Sequence, residues 1–100
     1  MGLRNIKSRI NGKLVEVKNI ANAGFGRDIR ILRDSLDTQK YTILRPVSAT
    51  SHKDTIVIKN KKTGDAKLFK LIDGDWVDKD TDKRYYSMNN IVTYIRESDF

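Results

Sequence analysis

From residue 54 onward the chain alternates short apolar runs with turn residues, the pattern of a strand meander. Thr55-Ile56-Val57-Ile58-Lys59 is β-branched through its centre and predicts a strand. Asn60-Lys61-Lys62-Thr63-Gly64-Asp65 predicts a turn, with Gly64 at the left-handed position that closes a longer hairpin loop. Ala66–Ile72 is the return strand, Asp73-Gly74 a tight turn, and Trp76 and Val77 the start of a short strand. The next turn repeats the earlier chemistry: Asp78-Lys79-Asp80-Thr81-Asp82-Lys83 aligns position for position with residues 60–65. Asp82 replaces Gly64 and is one of the few non-glycine residue types that tolerate positive φ. Arg84-Tyr85-Tyr86 then completes a four-stranded meander over 55–86. If the two turns are built alike, Trp76 faces Tyr85 across the second hairpin.

Ser87 is a good helix N-cap, and Met88, Ile91, Val92 and Ile95 follow at i, i+3, i+4 and i+7. This spacing predicts a C-terminal helix over about 88–97 with one face on the sheet. Nearer the N-terminus, Asn11-Gly12 is a strong hairpin signal between strands at Ile6–Ile10 and Lys13–Ile20. Asn22–Gly26 reads as a loop. Residues 28–36 carry two periods at once. Phe25, Ile29, Leu32 and Leu36 have helical spacing, whereas Ile29 and Ile31 alternate with Arg30 as in a strand. We expect a strand pair, 28–34 and 40–45 across Ser35–Gln39, stopping at Pro46, then a loop over Val47–Lys53. The fold class is mainly β (α+β): a small twisted antiparallel sheet or partly open barrel with a C-terminal helix. Residues 1–100 form a single small basic domain. The segment Asn11-Gly12-Lys13-Leu14-Val15-Glu16-Val17, a glycine followed by a short apolar strand, resembles part of the KOW and SH3-like nucleic-acid modules; it carries no residue roles across.

Charge changes the picture most. The net charge is +7, split as +10 over residues 1–70 and −3 over residues 71–100. Lys59, Lys61, Lys62, Lys67 and Lys70 cluster around one turn, and Arg4, Lys7, Arg9 and Lys13 lie near the N-terminus. Arg27, Arg30 and Arg33 form a looser set, and Asp73, Asp75, Asp78, Asp80 and Asp82 stand against them. A basic surface attracts polyanions by its summed field and by counterion release. The same lysines also serve solubility.

Candidate chemistry is sparse. Without cysteine there are no disulfides or thiolate metal sites. His52 is the lone histidine, and a Ser51/His52/Asp54 set would need three near neighbours in sequence to converge. Asp78, Asp80 and Asp82 match the first three ligand positions of an EF-hand loop, but Lys83 stands where that loop needs Gly and Asn89 where it needs Glu. Gly24-Phe25-Gly26-Arg27 is no phosphate-binding motif. No catalytic residue, metal or cofactor is expected.

Aromatics beside cations are the better hint, because single strands are held by basic grooves with stacking rings. Tyr41 follows Lys40, Phe69 lies between Lys67 and Lys70, and Tyr85 and Tyr86 follow Arg84. Phe25, Trp76 and one of the adjacent tyrosines are expected in the core. Strand neighbours face opposite ways, so the other tyrosine is exposed and a binding candidate.

The leading expectation is a non-catalytic, low-specificity binder of DNA or RNA phosphates through Lys59, Lys61, Lys62, Lys67 and Lys70, with Arg4, Lys7 and Arg9 as secondary contacts. The competing expectation is a small inhibitor or modulator that binds a protein with an acidic surface. Its Lys-, Asn-, Ile- and Asp-rich usage is common in phage products, and a host or defence protein is its expected target. No signal-peptide core or 20-residue apolar run is visible, so a cytoplasmic protein with no membrane association is expected. The orientation of the two turns matters. If they point the same way their charges partly cancel; if they point apart, one face is basic.

Overall fold

The computed structural model describes residues 6–10, 12–19, 27–47 and 54–98. Seven strands follow one another in a single sheet: β1 (Ile6–Ile10), β2 (Lys13–Asn19), β3 (Tyr41–Pro46), β4 (Thr55–Asn60), β5 (Ala66–Ile72), β6 (Asp75–Asp78) and β7 (Arg84–Tyr85). Each pairs with the next in antiparallel fashion. A parallel pairing of Ile10 with Ala66 joins β1 to β5 and closes the first five strands into a barrel. Helix α1 (Arg27–Ser35) links β2 to β3, and α2 (Met88–Glu97) follows β7.

The register sorts the side chains into two cores. Ile10, Val17, Leu44 and Val57 fill the barrel interior, with Val15, Ala66 and Leu68 packed against them. Positions of opposite parity point outward. On β3 to β7 they are Tyr41, Ile43, Ile56, Ile58, Phe69, Trp76 and Tyr85, and they form the larger core with residues of α1 and α2. Strand β4 is therefore apolar at consecutive positions because both of its faces are covered. On β1 and β2 the outward positions are Lys7, Arg9, Leu14, Glu16 and Lys18, all exposed. One sheet face thus changes from apolar to charged along its width, and the helices cover its apolar part.

The meander, its turns and the C-terminal helix match the sequence reading. Asp73 and Gly74 both have positive φ, as a two-residue hairpin requires. Trp76 pairs with Tyr85 across β6 and β7. Ser87 caps α2 by accepting from the Asn90 N–H, and Met88, Ile91, Val92 and Ile95 are buried. The β1–β2 hairpin is present, with Ile10 opposite Lys13 and Gly12 at φ 79°. Asn11 lies outside the described residues, as do the Asn22–Gly26 loop, Phe25 and most of the 47–53 segment.

Residues 28–34 are a correction: they are helical, not a strand. A strand would have placed Arg30 and Asp34 on the same face as Leu32 and Leu36. The helix instead buries Ile29, Leu32 and Leu36 and leaves Arg30 and Asp34 exposed. The helical period overrides the local Ile29-Arg30-Ile31 alternation because the outer sheet face needs an apolar stripe to cover it. Asp37 then turns the chain into β3, its carbonyl accepting from the N–H groups of Lys40 and Tyr41 at 3.0 and 2.8 Å.

Candidate nucleic-acid interface

The two matched turns adopt the same hydrogen-bond scheme. In the first, the Asn60 Oδ1 accepts from the N–H groups of Lys62 and Thr63 at 2.8 and 3.2 Å. In the second, the Asp78 Oδ1 accepts from the Asp80 N–H at 2.9 Å. The Gly64 N–H donates to the Asn60 carbonyl at 2.9 Å, and the Asp82 N–H donates to the Asp78 carbonyl at 2.7 Å. Thr63 and Thr81 hydroxyls accept from the N–H groups of Asp65 and Lys83 at 3.2 and 3.3 Å. Gly64 and Asp82 hold φ of 81° and 63°, as their residue types anticipate.

Both turns emerge from the same end of the meander. Strand β5 starts at the first turn, and β6 reaches the second where Asp78 pairs with Phe69. The Lys79 N–H donates to the Leu68 carbonyl at 2.9 Å. Arg9, Gly12, Thr63, Gly64, Lys67 and Asp80 are among the residues that share one open depression. The lysine-rich and aspartate-rich tips therefore offset each other locally.

Lys67 is central to this offset. Its Nζ lies 3.8 Å from the fully buried Asp78 carboxylate and 5.5 Å from the centre of the Tyr94 ring. Burial lowers the Lys67 pKa, but a hydrogen bond to Tyr94 and the charges of Asp78, Tyr94 and Asp80 outweigh it, leaving the group above 10.5. Burial, with help from Tyr94 and Asp78, also raises the Tyr85 hydroxyl above 10.0. Among the described residues the Tyr85 hydroxyl and the Asp78 Oδ2 have no hydrogen-bond partner.

The five lysines clustered between residues 59 and 70 are divided by the fold. Lys59 and Lys70 have inward-facing register on β4 and β5, and Lys70 pairs with Thr55 at the far end of the hairpin from its tip. Lys67 faces outward toward α2 and is half-buried. Lys61 and Lys62 occupy the exposed turn, where the Lys61 Nζ donates to the Thr38 carbonyl at 2.7 Å. Lys7 and Arg9 project from β1 onto the outer face, and Arg4 lies outside the described residues.

On that face the register places Lys7 opposite Glu16, Arg9 opposite Leu14, and Lys18 opposite Arg45. Lys18 and Arg45 were missed because they join Lys7 and Arg9 only through strand pairing. The signal was the outward parity they share across β1, β2 and β3.

Tyr41 and Phe69 belong to the core, as do Trp76 and Tyr85, whereas Tyr86 is 83% exposed. This is the division expected of adjacent strand residues. Ser51 and His52 lie outside the described residues, and no group of three or more metal-ligand residues forms among the described ones. Among those residues no helix is long and apolar enough to cross a membrane. No family model matches the chain, and neither a curated protein nor a solved structure matches it significantly.

Proposed function

We propose that the protein is a non-catalytic nucleic-acid binder that contacts phosphates with little sequence specificity. The observation that carries this reading is the exposed set of outward side chains on β1 and β2. It presents Lys7, Arg9 and Lys18 against one carboxylate, Glu16, beside Arg45 of β3. Lys7, Arg9 and Lys18 are ion-paired to no described carboxylate. Phosphate contacts of this kind supply affinity and orientation without reading bases. Lys61 and Lys62 are secondary contacts, since the aspartate turn beside them weakens the local field. The reading places the protein in the cytoplasm.

Titration of DNA and RNA binding against salt tests it. Lys7→Ala, Arg9→Ala and Lys18→Ala should each reduce the log–log slope by about 0.7 to 0.9, the value of one phosphate contact. Absence of binding to either polymer at low salt overturns the reading. A protein partner is the second reading, favoured by Leu14, which is 63% exposed within the basic face. It predicts a stoichiometric complex that survives nuclease and is lost on Leu14→Asp.

A further inference from the structure

A second surface lies on the helical side of the molecule, where α1 and α2 cover the apolar part of the outer sheet face. The groove between α1 and the β7–α2 junction is lined by the apolar side chains of Ile31, Leu71, Trp76 and Met88, by the ring of Tyr86, and by the polar Asp28, Ser87 and Asn89. Its volume of about 570 Å³ falls in the range of small-ligand sites. An adjoining groove shares Arg27 and Ile31 with it and adds Arg30. Arg27 and Arg30 are three residues apart on α1 and both exposed.

Three features make this more than an incidental hollow. Tyr86 follows the last strand residue and precedes the α2 cap, so the backbone on both sides of it is fixed while its ring is 83% exposed. A ring in that position offers a flat face at little conformational cost. Of the cations nearby, Arg33 pairs with Asp34 at 3.5 Å, whereas Arg27 and Arg30 are ion-paired to no described carboxylate. Asp28 lines the first groove and Asp34 the second, so the two arginines share this surface with two carboxylates, of which Asp34 also contacts Arg33. An exposed ring, neighbouring apolar side chains and two guanidinium groups without an ion pair among the described residues suit a ligand that is flat at one end and anionic at the other.

We propose that this groove seats an unpaired base of a single-stranded nucleic acid, stacked on Tyr86, with Arg27 and Arg30 against the flanking phosphates. The inference rests on the nucleic-acid reading and sharpens it to single strands. A base within a duplex is stacked on its neighbours and does not present its face to a ring. A single strand presents every base, and stacking on an aromatic ring tolerates any sequence.

The test uses three fluorescently labelled ligands: a ten-nucleotide thymidine strand, an abasic strand with the same number of phosphates, and a duplex. Anisotropy gives affinity. The emission of Trp76, the only tryptophan in the chain and part of the groove lining, reports occupancy. The thymidine strand should bind about tenfold more tightly than the abasic strand and perturb Trp76 emission. Tyr86→Ala should erase that difference, Tyr86→Phe should preserve it, and Arg27→Ala with Arg30→Ala should weaken both single strands alike. Tyr86 is exposed, so its truncation leaves the core intact.

Equal affinity for thymidine and abasic strands, or a preference that survives Tyr86→Ala, overturns the base site while leaving the phosphate reading standing. Tighter binding of the duplex than of either single strand does the same. Binding of none of the three ligands at low salt overturns both.

Discussion

In the first of the two matched turns, the buried side chain that receives backbone N–H groups is the amide of Asn60; in the second it is the carboxylate of Asp78. The backbone path is shared, and so are the threonine contacts and the positive φ near the end. The difference lies in what surrounds the polar group. Asn60 is neutral and needs no counter-charge. Asp78 has Lys67 at 3.8 Å, and Lys67 in turn lies over Tyr94 of α2. The comparison teaches that a turn accepts either residue at this position, but the charged version draws a cation from the neighbouring strand. That cation is one the sequence had offered to an external ligand.

Removing the polar group from each turn should separate them most. Asp78→Ala leaves the Asp80 N–H without its acceptor and Lys67 without its nearest carboxylate, so we expect a loss of about 3 kcal/mol in urea unfolding. Asn60→Ala leaves only turn N–H groups that water can reach, and should cost about 1 kcal/mol. Equal losses at the two positions would break the comparison.

Exchanging the residues should have effects smaller than that of Asp78→Ala. Asn60→Asp buries a carboxylate at a position where no ion pair is recorded among the described residues, and should cost about 1–2 kcal/mol. Asp78→Asn keeps the acceptor for Asp80 and should change stability by less than about 1 kcal/mol.

The left-handed positions come next. Gly64→Ala meets no atom within 4 Å, so its cost is conformational alone, about 1 kcal/mol. Asp82→Gly should be neutral or stabilising by a few tenths of a kcal/mol. Thermal melting distinguishes the two signs.

The smallest effect is alkaline. Lys67 and Tyr85 both have folded pKa values above their ordinary 10.5 and 10.0, so the folded state holds these protons more tightly than the unfolded chain. Their contribution is fully present below about pH 10 and is lost as pH rises through the folded values. Tyr85→Phe removes an unpartnered buried hydroxyl, so it should be close to neutral at pH 7 and should flatten the alkaline loss. Urea midpoints measured from pH 8 to pH 11 would show it.

Much of the C-terminal half was legible because several local signals agreed. In α2 the Ser87 cap and the Met88, Ile91, Val92, Ile95 spacing point to the same helix. In the turns, each polar residue acts on backbone within a few positions of itself. Residues 28–34 failed that test, since Ile29-Arg30-Ile31 and Ile29, Leu32, Leu36 support different periods and only the outer sheet face decides between them. The candidate site failed it more broadly. Lys59, Lys67 and Lys70 lie close in sequence yet fall on opposite faces of the sheet. Arg45 lies far from Lys7 and Arg9 in sequence yet shares their face through its pairing with Lys18. Facing is set by long-range register, which neighbouring residues do not encode.

The single pairing of Ile10 with Ala66 that closes the barrel has a consequence for how the molecule is made. Every other strand pair joins consecutive strands, so those contacts form between segments near one another along the chain. The closing pair must bring together residues 56 positions apart, and its loop entropy is offset only after β2 to β5 are in place. Late closure of β1 on β5 is the expected order of folding, and opening of that pair is expected before separation of the inner strands. Amide exchange at Ile10 and Ala66 should accordingly run ahead of exchange in β4. On that order the strand carrying Lys7 and Arg9 parts from β5 while it stays paired with β2.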